Sequence, residues 1–338
     1  MRGPSPKSER LNGSSPGWSW NPQPPANPGW VERYYEFLNK PRRSELRLDE
    51  AKTLKRQNLP SSLFKYANFE STVDKASAEQ LEQDVEGQPW TLVNLKNQVI
   101  SLRPPGTFND PFDSSLSFGL TDLVNDAIAK TKSQQQDIQE SDTERSPLPQ
   151  PNNNIEWLLQ EHFRKAPEEF GDYETNKRVL ESVLDAQNKK AVSDFVNGMR
   201  NALRISCFSE RRDLILMWSH YGQHHRGICM EYESRSLLTP TGNGFLHPVS
   251  YNPTRFQAIE YFRSYPDSNP LMLTIAACHK SPAWSYEQEW RFIDITFAET
   301  LQIRPKRIFL GACIDLRRRE EVIAIAREQH IPVLQASR

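Results

Sequence analysis

Short stretches of alternating apolar and polar residues recur along the chain, and each predicts a strand. The first covers 63–67, Leu63-Phe64-Lys65-Tyr66-Ala67. Others lie at 99–102, 205–208, 227–232, 308–311 and 332–334. A second pattern, apolar residues three and four apart, predicts helix. It joins Val179, Leu180, Val183, Leu184, Val192, Phe195, Val196, Met199 and Leu203 into a stripe expected to be buried. Shorter helices are expected at 89–95, 214–220, 271–279 and 317–329. Pro89 suits a first helical turn, and Gly222 is a natural terminator. The last strand, helix and strand form a candidate right-handed crossover, which would make those two strands parallel.

Where the patterns lapse, the chain divides. Residues 1–30 are rich in Pro, Ser, Gly and Asn and predict a disordered tail. Residues 31–60 have mixed charge and predict a partly helical extension. Residues 61–338 then form a single α+β domain, a central mixed β-sheet interrupted by a polar linker (131–154) and a helical insertion (155–203). A hydrophobic content of 37% fits a packed domain diluted by polar segments. The formal charge of −1 provides no global field to recruit nucleic acid or an anionic membrane. Cys207, Cys229, Cys278 and Cys313 have no paired spacing, which argues for reduced, partly buried thiols in a cytoplasmic protein. The N-terminus lacks an apolar core, and the run 271–278 is too short to span a bilayer, so no membrane partner is expected.

The densest chemistry lies in Trp284-Ser285-Tyr286-Glu287-Gln288-Glu289-Trp290-Arg291. Read as a strand, it presents Glu287, Glu289 and Arg291 on one face and Tyr286, Gln288, Trp290 and Phe292 on the other. Three charges in register suit a polar site better than a core. Phe108-Asn109-Asp110-Pro111-Phe112-Asp113 reads as a tight turn. An alternative brings Asp110 and Asp113 to the Glu pair around magnesium, as in a nuclease. His220, His224 and His225 have a suggestive spacing, but Gly222 interrupts it and no further ligand is near, so no metal is expected. Trp218 and Tyr221 are placed to stack a nicotinamide or adenine ring, with His220 at a pocket rim. Ser209, Ser219 and the cysteines lack a nucleophile elbow, and no glycine loop for phosphate is present.

Together these motifs resemble an uncharacterised bacterial family, domain of unknown function 2971. The resemblance rests on Phe64-Lys65-Tyr66, the 108–113 turn, Cys207-Phe208-Ser209, Met217-Trp218-Ser219-His220-Tyr221-Gly222 with Gly227, Lys280 with 284–291, and Ile308-Phe309-Leu310-Gly311. It covers roughly 63–335 and supplies no activity. A more distant, fold-level similarity is to mono-ADP-ribosyltransferases, which set alternate carboxylates beside NAD. That similarity implies Glu289 as catalytic carboxylate and Glu287 as its helper. It also implies a nucleotide-type ligand, NAD, held by Lys65, Tyr66, Asn109, Asp110, Trp218, His220, Tyr221 and Arg291. Those enzymes usually carry Arg or His on the first strand, where this chain has Lys65-Tyr66. The implied protein is a toxin or defence effector with an unspecified acceptor. Its alternatives are the metal-dependent nuclease and a non-catalytic sensor or interaction domain of a defence or stress system.

Overall fold

The computed structural model describes residues 29–81, 83, 85–108, 110, 113, 114, 116, 117, 160, 172–238 and 246–335. The tail expected at 1–30 (as far as residue 28), the linker at 131–154, Asn109 and all of 155–171 except Gln160 lie outside the described residues.

Seven strands make one mixed sheet in an α+β fold. In chain order they are β1 (Ser62–Ala67), β2 (Arg204–Ser209), β3 (Ile228–Glu233), β4 (Leu246–Pro248), β5 (Glu289–Asp294), β6 (Arg307–Leu310) and β7 (Val333–Gln335). Their spatial order is β7-β6-β3-β1-β2-β5-β4. Every pairing is antiparallel except β6 with β7, which the helix between them turns into a parallel pair as the crossover predicts. The six helices that frame the sheet and the site are α1 (Gly29–Leu38), α2 (Leu48–Asn58), α3 (Trp90–Asn97), α4 (Tyr173–Ala202), α5 (Ile215–His220) and α6 (Leu316–Glu328).

The sheet is split at its centre. β1 pairs with β3 along its whole length, from Ser62 opposite Glu233 to Ala67 opposite Ile228. With β2 it shares a single register point, Phe64 opposite Ser209. Beyond that point Ile205 exchanges both backbone hydrogen bonds with Arg103, at 2.8 Å each. The segment after the 99–101 strand thus occupies the edge of β2 that β1 has left, and a cleft opens between the diverging strands.

Two apolar clusters hold this arrangement. One buries Leu63, Leu95, Ile100, Phe208, Trp290, Ile308 and Val322 between sheet, α3 and α6. The other gathers Tyr34, Tyr35, Phe37, Ala51, Leu203, Ile205 and Ile293. Fully burying one such side chain is worth about 1.5–3 kcal/mol. Helices α1 and α2 are therefore core elements, and packed structure begins upstream of Leu63. Trp30 stacks on Trp290 at 5.7 Å between ring centroids.

Three expectations need correction. The stripe along α4 is not buried throughout: Val179 is 56% exposed and Val183 44%. Among the described residues, Phe195 and Val196 in its C-terminal half pack on the second cluster, and Tyr173 is buried at its start. The helix expected at 271–279 is only Met272–Ala276; His279–Lys280 then pairs in parallel with Ser250–Tyr251. Cys229 and Cys278 are buried and Cys207 half-buried, but Cys313 is exposed.

Candidate functional site

Residues 284–291 do not form one strand. Ser281 caps a 3-10 helix over Pro282–Glu287, its hydroxyl oxygen accepting from the Ala283 N–H at 3.4 Å. Proline in the first turn fixes φ for that helix. Gln288 then takes a left-handed conformation, φ 45°, and β5 starts at Glu289. Local capping has overridden alternation, so Glu287 is not in strand register with Glu289 and Arg291. Ser209 fixes the junction by donating its hydroxyl to the Glu287 carbonyl at 2.6 Å. Tyr251 accepts the Glu289 N–H at 2.8 Å.

The charges converge even so. The Lys280 ammonium donates to Glu287 Oε2 at 2.5 Å and Glu289 Oε2 at 2.8 Å, and lies 3.5 Å from the Asp113 carboxylate. Arg291, fully buried at 0% exposure, forms a two-pronged pair with Asp113 at 2.7 Å for each oxygen. Its Nε donates to Glu289 Oε1 at 2.8 Å, and its Nη1 reaches Ser114 Oγ at 2.8 Å and the Ala277 carbonyl at 2.5 Å. Three buried carboxylates thus face two buried cations. Desolvation of such charges is repaid only by geometry of this quality.

The two glutamates differ in proton affinity. Burial works to raise the Glu289 pKa, but the adjacent Arg291 and Lys280 charges outweigh it and hold this carboxyl well below the usual range. Burial, reinforced by the negative charge of Glu289, pushes Glu287 up to about 7, and Lys280 offsets only part of that. Burial alone would lower Lys280; Glu289, Glu287 and Asp113 reverse this and raise it. Of these two glutamates, Glu287 is therefore the one that takes up a proton more readily. That carboxyl also accepts from the Tyr221 hydroxyl at 2.8 Å through Oε1.

A cavity of about 450 Å³ opens over this pair. Lys65, Tyr66, Phe108, His220, Tyr221 and Glu287 are among its walls, and Glu289 and Lys280 reach it too. It adjoins a second cavity of about 320 Å³ bounded by Trp90, Thr91, Asn94 and Ser101. Both share Lys65, Asn68, Arg103, Thr107, Phe108 and Cys207, so they meet at the split in the sheet. Lys65 reaches towards the gap with its Nζ 3.4 Å from the Cys207 carbonyl. Among the described residues no carboxylate lies within pairing distance of it, and burial lowers its pKa, the nearby Cys207 opposing this.

Of the residues expected at the site, Glu289, Glu287, Lys65, Tyr66, His220 and Tyr221 line this cavity together. Trp218 does not: it is buried against Tyr66, and its indole donates to the Arg212 carbonyl at 2.8 Å. Arg291 lies under the carboxylates and off the cavity wall. Asp110 lines a separate cavity with Asn252, Arg255 and Trp284, and its carbonyl accepts from the Asp113 N–H at 3.1 Å, a turn as its sequence implies. Asn109 lies outside the described residues. For a magnesium site, Asp113, Glu287 and Glu289 do assemble, but Lys280 and Arg291 already occupy their oxygens. No cluster suited to a metal ion occurs among the described residues. Arg103 and Cys207 also line the cavity; Cys207 was expected only as a thiol and a motif residue, and nothing in the sequence shows that Arg103 would fill the gap beside β2.

No curated protein and no solved structure matches the chain. Residues 217–292, which carry Tyr221, Lys280, Glu287, Glu289 and Arg291 but not Lys65, Arg103 or Asp113, are similar to the family described as Protein of unknown function (DUF2971).

Proposed function

We propose that the cleft in the split sheet binds a dinucleotide, with NAD as the candidate, and that Glu287 is the carboxylate that acts on it. The observation behind this reading is the arrangement of the two joined cavities. Two cations, Lys65 and Arg103, stand where they meet, and the Glu287–Tyr221 pair stands in one of them alone. A ligand with an anionic middle and two ring-bearing ends suits such a cleft. Lys65 and Arg103 would hold the pyrophosphate. Aromatic side chains in both lobes, Tyr66, Phe108 and Trp90, offer flat apolar surface to the rings.

NAD supplies a glycosidic bond whose cleavage builds positive charge on the ribose. A fixed carboxylate in a dry site stabilises such charge. Glu287 is better suited to this than Glu289: two cations, Arg291 and Lys280, neutralise Glu289, whereas Glu287 meets one cation, Lys280, and the neutral Tyr221 hydroxyl. Glu289 and Arg291 act as the base on which Glu287 and Lys280 are positioned. With its pKa near neutrality, Glu287 is also able to accept a proton from an acceptor group.

Calorimetric titration of the full chain with NAD and with ADP-ribose tests the binding. Saturable binding is expected, weakened at least tenfold in Lys65→Met and Arg103→Met. In a parallel assay of NAD cleavage, Glu287→Gln is expected to abolish turnover while NAD still binds. Failure of the parent chain to bind either nucleotide overturns the reading. Binding without turnover would make the protein a nucleotide sensor.

A further inference from the structure

A further, larger cavity of about 830 Å³ lies away from the split, between α1, α2 and the end of β5. Its volume falls within the range of about 300–1,000 Å³ usual for small-molecule sites. Three large apolar side chains on its walls remain open to solvent: Leu48 at 42%, Ile295 at 53% and Phe297 at 59% exposure. Exposed apolar surface gathered at one cavity is unfavourable unless a ligand covers it.

The polar groups in that wall carry one sign of charge. Arg43, Lys52 and Lys55 are present, and no Asp or Glu is among the described residues lining it. Lys52 lies 3.9 Å from Asp49, a contact between exposed groups that holds little energy. Among the described residues no carboxylate pairs with the Arg43 guanidinium. Lys55 is buried and donates to the Leu246 carbonyl at 2.9 Å. His247 adds no charge: desolvation holds the pKa of its half-buried imidazole well below the ordinary value, and the ring is bonded to the Tyr34 hydroxyl at 2.7 Å. The complement of this cavity is a molecule with an apolar body and a single negative end.

We propose that this cavity is a separate binding site for a free, single-chain aliphatic carboxylate, its carboxylate directed to Arg43, Lys52 and Lys55 and its chain lying along Leu48, Ile295 and Phe297. This site does not depend on the nucleotide reading, because it shares no wall residue with the split.

Titration of the full chain with decanoate, decanol and decyltrimethylammonium tests it. Decanoate is expected to bind at one site, at least tenfold tighter than decanol, with no saturable binding of the ammonium compound. Lys55→Met is expected to weaken decanoate at least tenfold and to leave decanol unchanged. Should that variant fail to fold, the exposed pair Arg43→Gln and Lys52→Gln gives the same comparison, with at least a fivefold loss expected. Ile295→Asp should weaken both ligands. Equal affinity for all three compounds, or no saturable decanoate binding, overturns the proposal. So does a loss of decanoate binding in Lys65→Met, which would place the ligand in the split instead.

Discussion

Glu287 sits in a cluster of three carboxylates and two cations, and burial beside Glu289 raises its proton affinity. Facing it are Lys280, Glu289, Tyr221 and, through Lys280, Asp113. Its folded pKa of about 7 lies above the ordinary 4.5, so the folded chain binds this proton more tightly than the unfolded one. The stability it contributes is complete below pH 4.5 and is lost as pH rises through about 7. Glu289 works in the opposite sense: its contribution is present above 4.5 and is lost as pH falls through its lowered pKa. Thermal melts between pH 5 and pH 8 separate the two. The melting temperature of Glu287→Gln should fall less steeply over that window than that of the parent; identical slopes would refute the assignment. Arg291→Met leaves Asp113 and Glu289 buried with Lys280 but without the guanidinium, and a loss of about 3–5 kcal/mol in urea unfolding is expected. Alternation within 284–291 did identify these residues as a charged set. It missed that Glu287 precedes the strand, although Ser281-Pro282 carried a helix-start signal.

At the level of elements, the turn from α5 into β3 is the costly one. Gln223, His224 and His225 follow one another in left-handed backbone, at φ 51°, 52° and 64°. Each such non-glycine residue costs roughly 1–2 kcal/mol. Packing holds the turn in place. The His225 ring stacks on Trp218 at 5.9 Å, and its carbonyl accepts from the Cys313 N–H at 2.9 Å. Gly311 lies so close that a Cβ there would stand 2.1 Å from the His225 oxygen. His224→Gly removes strain from an exposed position and is expected to stabilise the fold by about 0.5–1 kcal/mol. Gly311→Ala should destabilise it by several times that amount, and urea melts of the two variants read both signs. Gly222 announced the end of α5, and the helix stops at His220 as that residue implies. The left-handed run was invisible, because Gln has no preference for that conformation and the preference of His is too slight to mark three such residues in succession; tertiary contacts impose it.

On the scale of the whole molecule, β1, β2, β3, β6, β7 and the parallel β6–β7 crossover were legible because each depends on local periodicity. The split between β1 and β2 was not, because it depends on which distant segment occupies an edge. Lys65 was readable as a polar residue on an apolar strand, and Arg103 became its neighbour only through the pairing with Ile205. The same topology bears on how the chain comes into being. β1 lies in the middle of the sheet, yet its two neighbours are translated only after a further stretch of roughly 140 residues or more, which at about 5–20 residues per second delays them by on the order of ten seconds. Throughout that interval the emerging chain holds a central strand with both edges unpaired. The ribosome and its attendant chaperones, rather than any later step in solution, are therefore where this protein is most exposed to mispairing.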